Sequence, residues 1–333
     1  MIRYDIKVYN KDWTFKTTVN PNIVMNDISF TENVNWWQWQ LALNLALSFN
    51  DNSFQGWDLV KVVLYNERYT QWKQIYFWYI SQITRKYDTN KWYISLTCLW
   101  IASLLNKILF SGSYAWTIES ILNQVITKFN SNYNNIITIW QIDEYSESVS
   151  FKFDSNNTCK DVIDTLSNTA NYYWFIDSEW KFYFREKLSQ QNHIIANQYA
   201  IETMSLNYSF EWIVNKFYLE REWINMQVYE DETSQNNYWI KEKYELSNTI
   251  VNQATQDEYW NNYIAQNKDP KNASSIVVNS KYDIESISPW DTITVVNSEY
   301  TIKNLLIEKI TYTPIRITLT LEENETLRDV INN

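Results

Sequence analysis

The chain has 333 residues, long enough for two or three domains each with its own core. Its net charge of −11, from 39 acidic against 28 basic residues, argues against a nucleic-acid partner, because phosphate binding needs a basic patch and no dense Lys/Arg run is present. No apolar run is long enough to span a membrane, and Met1–Asn10 alternates polar and apolar residues without a signal-peptide profile, so neither membrane insertion nor export by the general secretory route is expected.

Residues 1–105 read as a β-domain. Ile2–Val8 and Phe15–Val19 flank a turn at Asp12-Trp13, and Leu41–Phe49 alternates so that Leu41, Leu43, Leu45 and Leu47 share one face. Asp58–Tyr65, Gln74–Ile83 and Trp92–Cys98 continue the series, a spacing that predicts a barrel or sandwich. Residues 106–200 change character after a short helix predicted over Ile101–Leu109. Thr117–Phe129 carries Ile118, Ile121, Val125 and Ile126 at helical spacing behind a Thr117 cap, and Thr158–Ala170 forms a second amphipathic helix. Strands near Ile136–Ile139 and Val149–Phe153 and a hairpin over Tyr172–Phe184 make this an α+β insertion.

Residues 201–333 return to strands at Ile201–Tyr208, Asn215–Arg221, Ile224–Tyr229 and Tyr238–Glu245. One helix at Asn252–Gln266 precedes strands at Ser275–Val278, Thr292–Val296, Tyr300–Thr311 and Arg316–Glu322. The tail Asn324–Asn333 is polar and predicted partly helical. No fixed-period repeat is visible, which argues against a solenoid or propeller.

Glycine occurs only twice, at Gly56 and Gly112, while tryptophan occurs 18 times. An ordinary chain is about 7% glycine. The tryptophans stand where backbone physics asks for glycine. Asp12-Trp13 occupies a tight hairpin, where Asp-Gly is the usual pair because the second residue needs positive φ. Asp177-Ser178-Glu179-Trp180-Lys181 occupies another hairpin, and Pro289-Trp290 stands where a type II turn takes Pro-Gly. Asn35–Gln40 would be an exposed aromatic cluster as written and a flexible turn if its tryptophans were glycine. Every tryptophan except Trp174 is therefore expected to be a UGA codon that the source reads as glycine, an alternative genetic code that restores nineteen glycines. The competing reading is a Trp-rich, carbohydrate-binding receptor-recognition protein, which needs several indoles on one sheet face.

With glycines in those places, the chain resembles phage baseplate-hub and tail-tip proteins. The resemblance lies in Asn35–Phe49, Gln55-Gly56-Trp57-Asp58, Ile75–Ile83 and Trp92–Leu99. It continues in Thr158-Cys159-Lys160-Asp161-Val162-Ile163-Asp164 leading to Tyr172–Asp177, and in Ile287-Ser288-Pro289-Trp290-Asp291-Thr292, where Trp290 departs from the family's glycine. It covers most of the chain through short motifs of common turn chemistry. It implies a mainly β (α+β) fold of two β-barrel-like hub domains with an α+β insertion. It also implies a homotrimer in the virion tail, assembled in the host cytoplasm, that joins the tail tube to spike or fibre proteins.

The residues point to no enzyme, with no catalytic, cofactor-binding or metal site. His193 is the single histidine, which excludes multi-histidine metal centres and disfavours a Ser-His-Asp arrangement. Cys98 and Cys159 read as buried thiols rather than a disulfide framework. The acidic clusters Asp143-Glu144…Glu147 and Glu230-Asp231-Glu232 read as solvated turns; a peptidoglycan-cleaving lysin would need them as paired carboxylates. Sequons at Asn156, Asn207, Asn272 and Asn324 follow from an Asn-rich composition. As an assembly component, the monomer is expected to carry an exposed apolar patch.

Overall fold

The computed structural model describes residues 2–24, 29–33, 40–48, 51–66, 73–88, 91–133, 135–177, 179–186, 192–195, 201–205, 207–221, 224–246, 249–272, 274–279, 287, 289, 291–296, 301–312 and 316–323. Strands β1 (Ile2–Tyr9) and β2 (Phe15–Val19) form the first hairpin, followed by β3 (Ser29–Asn33), β4 (Gln40–Leu45), β5 (Leu59–Asn66), β6 (Lys73–Asp88) and β7 (Lys91–Trp100). A 3-10 segment at Ile101–Lys107 leads to β8 (Gly112–Thr117), α1 (Ile118–Asn132), β9 (Thr138–Ile142), β10 (Ser148–Phe153), α2 (Cys159–Ala170), β11 (Tyr172–Ile176) and β12 (Lys181–Glu186). The chain continues through β13 (Asn192–Ile195), β14 (Ile201–Ser205), β15 (Tyr208–Ser209), β16 (Lys216–Arg221), β17 (Ile224–Glu230), α3 (Glu232–Tyr238), β18 (Glu242–Leu246) and α4 (Gln253–Asn267). It closes with β19 (Lys271–Asn272), β20 (Ser274–Asn279), β21 (Thr292–Val296), β22 (Thr301–Tyr312) and β23 (Arg316–Glu323). The fold is mainly β, as the strand series predicts.

One 13-stranded sheet draws on both ends of the sequence, in the order β14-β20-β23-β22-β3-β4-β7-β6-β5-β1-β2, with β13 joined through β21 to β22. The seam is β3 against β22, antiparallel, with Phe30 opposite Tyr312 and Asn33 opposite Lys309. Period-2 alternation decides which residues enter the core. Leu41, Leu43 and Leu45 are fully buried, opposite Cys98, Leu96 and Ile94 on β7, which are also buried. Full burial of each such side chain contributes roughly 1.5–3 kcal/mol.

The central segment packs its helices on two small sheets. Helix α1 starts at Thr117, whose hydroxyl accepts from Ser120 N, and buries Ile118, Ile121, Leu122, Val125, Ile126 and Phe129. Helix α2 opens with a capping box: Thr158 accepts from Asp161 N, and Asp161 accepts from Thr158 N at 2.8 Å. It ends at Asn171 in the left-handed conformation. Strands β11-β12-β9 form one sheet and β8 pairs β10.

A third unit lies within the C-terminal region. Strands β17-β16-β18 turn Phe217, Leu219 and Tyr229 onto α4, where Phe217 stacks on Trp260 at 4.1 Å between centroids. It docks on the central segment: Asn262 Nδ2 donates to Thr169 O at 2.8 Å, and Lys152 N donates to Thr249 O at 2.7 Å.

Several sequence expectations shift. The strand expected over Tyr238–Glu245 begins at Glu242, because Asp231 caps a short helix over Glu232–Tyr238 that carries no strong apolar periodicity. The helix expected over Ile101–Leu109 is a 3-10 segment, and the strand expected at Ile136–Ile139 lies at Thr138–Ile142. Residues 34–39, Trp290 and the 324–333 tail, on which other expectations fall, lie outside the described residues.

Candidate functional site

The outer face of β17-β16-β18 follows from strand alternation. With Phe217 and Leu219 facing α4, Lys216, Tyr218 and Glu220 face away from it. Register places Tyr218 opposite Val228 on β17 and opposite Tyr244 on β18. Met226, Val228, Tyr244 and Leu246 are all exposed on this face, with Leu246 the most open at 57%. Polar groups frame them: Tyr218 Oη donates to Glu242 Oε1 at 2.8 Å, and Lys216 Nζ lies 3.4 Å from Glu230. The Tyr218 hydroxyl, and behind it the Glu230 carboxylate, hold the Lys216 ammonium above its ordinary range. An apolar patch inside a charged frame is the composition of a protein contact surface.

The acidic clusters have structural work. Asp231 accepts from Ser234 N at 2.8 Å as the cap of α3 and from Lys268 Nζ at 2.9 Å, which holds its carboxyl below the ordinary carboxylate range. Asp143 accepts from Gln141 Nε2 at 2.7 Å and from Glu186 N at 3.0 Å. Among the described residues, no group of three or more His, Cys, Asp or Glu side chains is placed to hold a metal ion.

His193 Nε2 lies 2.7 Å from Asp291 Oδ2, a contact across 98 positions of sequence that no local pattern signals. It ties β13 to the residue preceding β21, and the Asp291 carbonyl accepts from Ile307 N on β22. The pair stitches three strands of the main sheet together. Both cysteines are buried free thiols; burial raises the Cys98 thiol steeply and pushes Cys159 up to about 12. At Lys160 the ammonium is buried, paired with Asp164, which also accepts from Trp174 Nε1 at 2.9 Å.

Among the described residues the exposed indoles are carried by different elements: Trp13 in the first hairpin turn, Trp57 in a turn before β5, Trp92 on β7, Trp116 on β8, Trp140 on β9, Trp212 before β16 and Trp239 after α3; Trp13 packs against Trp180 at 4.7 Å between centroids. No described helix is long and apolar enough to cross a membrane.

No known sequence family matches the chain, and no curated protein matches it in sequence. Solved structures do match in fold. A tail protein from Neisseria meningitidis superposes with a TM-score of 0.68 at 11% identity, covering 96% of each chain. The 43 kDa tail protein of prophage MuSo2 from Shewanella oneidensis gives 0.70 at 10% identity, over 96% of this chain and 98% of that one. Prophage tail protein gp18 from Listeria monocytogenes gives 0.60 at 13% identity, over 99% and 100%. A chain of the Francisella PdpA-VgrG complex matches at 0.55 with 11% identity; 98% of the present chain aligns with 53% of it. Over 96–99% of its length, this chain carries the fold of these tail proteins, two of them from prophages.

Proposed function

We propose that this chain is a structural component of a phage tail tip or baseplate hub. The observation that carries this reading is the likeness in fold to the Neisseria tail protein over 96% of both chains. In this reading the chain assembles as a homotrimer between the tail tube and the distal spike or fibre proteins, and works by geometry rather than chemistry. The main sheet supplies a rigid body, and the apolar outer face of β17-β16-β18 is buried against neighbouring tail proteins.

Two measurements test the proposal. Antibody against the purified chain, conjugated to gold, is expected to decorate one end of the tail in electron micrographs of the particles; label absent from particles overturns the structural role. Sedimentation of the full chain is expected to give three times the monomer mass. A strict monomer at high concentration removes the trimer while leaving the tail assignment standing.

A further inference from the structure

We infer that Trp13, Trp57, Trp180 and Trp239 are glycine positions, occupied by glycine in the polypeptide as its natural host makes it. Among the described residues six non-glycine residues have positive φ: these four tryptophans and Asn135 and Asn171. Asparagine tolerates the left-handed region through local hydrogen bonding, whereas tryptophan has a Cβ that clashes there and no polar group near the backbone to compensate.

Each site is a backbone motif whose geometry names its residue. At the first hairpin, Trp13 N donates to Asn10 O at 2.9 Å and Asn10 N to Thr14 O at 2.9 Å, with Trp13 at φ 71°. At the second, Trp180 N donates to Asp177 O and Asp177 N to Lys181 O, both at 3.0 Å, with Trp180 at φ 68°. Both are three-residue loops in which a turn is followed by a left-handed bulge residue, the place where hairpins use glycine. Trp57 at φ 72° is the third residue of the turn closed by Asp58 N on Gln55 O, the position a type II turn gives to glycine. Trp239 follows α3 at φ 64°, ψ 168°, a region occupied essentially by glycine alone.

The indoles do not need this backbone. Trp239 is 82% exposed, Trp57 is 54% exposed and stacks on Tyr79 at 4.9 Å between centroids, and the buried Trp180 packs against Trp13, another of the four. Left-handed backbone lowers the folding equilibrium by roughly five- to thirtyfold per residue that carries a Cβ. Trp174 is the contrast. It lies in the middle of β11, buried, with Nε1 donating to Asp164, so an indole there has both a cavity and a partner. Trp78, Trp100 and Trp260 are buried without positive φ, so the backbone makes no demand for glycine there. One event accounts for both the missing glycines and the misplaced indoles: UGA codons, read as glycine by the host and rendered as tryptophan in this sequence.

The test has two arms. The full chain is made with all four sites as glycine (Trp13→Gly, Trp57→Gly, Trp180→Gly, Trp239→Gly) and again with all four as alanine. Both variants lose the same rings, so only backbone strain separates them. The glycine form is expected to have a folding equilibrium at least several hundredfold more favourable than the alanine form, roughly fivefold or more at each of the four sites, and Trp174→Gly to be less stable than the parent. Equal stability of the glycine and alanine forms overturns the structural basis. In the second arm, peptides from protein isolated from the particles are sequenced by mass spectrometry. Glycine at the four positions is expected, and tryptophan at them overturns the inference; neither result bears on whether the chain is a tail protein.

Discussion

Lys160 places its ammonium inside the protein and meets Asp164 one helical turn later, while Trp174 from the neighbouring strand donates to the same carboxylate. Burial raises the Asp164 carboxyl, and the Lys160 charge opposes that shift. The Lys160 ammonium is buried while Asp164 keeps about 35% of its side chain exposed, so the pair lies at the edge of the core, with the buried charge matched by a carboxylate that still reaches water. The thiols are buried outright. Cys98 has no exposed surface in the main sheet and Cys159 none at the start of α2. Because the thiolate is the reactive form and burial disfavours it at both, neither is expected to react with a thiol reagent at pH 8 while the chain is folded, and both are expected to react on denaturation. Labelling of either residue at native rates would mean that its surroundings open.

At the scale of elements, caps decide where helices begin. Helix α3 has little apolar surface, so its existence rests on Asp231, which caps Ser234 N and binds Lys268. Asp231→Ala is expected to lower stability by about 1 kcal/mol at neutral pH. Because the native carboxyl is held below its ordinary value of 3.8, its contribution is present above that pH and lost as pH falls through the folded value. The difference between parent and variant in denaturant melts is therefore expected to narrow below about pH 4, and a difference independent of pH would detach the effect from this carboxylate. The acidic run Glu230-Asp231-Glu232 was visible in the sequence as a cluster; its role as a helix start was not, because a capping side chain reads the same as a solvated one until the following backbone is seen to turn.

At the scale of the molecule, the seam between β3 and β22 joins strands that lie nearly the whole chain apart. Residues 1–105 and 201–333 contribute to the same sheet, joined by β13, while the helices and small sheets between residues 108 and 186 and the β17-β16-β18 unit pack onto each other through α2 and α4. We expect the outer segments to unfold together. Hydrogen exchange at β4, β7, β22 and β23 should therefore give a single opening free energy. Protection of β4 and β7 that survives conditions exchanging β22 and β23 would show the sheet to be two independent units.

Local rules sufficed for much of this protein. Alternation of Leu41, Leu43 and Leu45, the apolar stripe from Ile118 to Phe129 and the Thr158 cap each carry their structure within a few residues, and the turn at Asp12-Trp13 announced its positive φ by composition alone. The tertiary structure alone decided the pairing of β3 with β22, the contact of His193 with Asp291 and the exposure of Met226, Val228, Tyr244 and Leu246 on one face. The physical reason is range. Propensity and periodicity act over one or two turns of chain, whereas strand order and the choice of which face stays open are set by long-range packing that no short window of sequence contains.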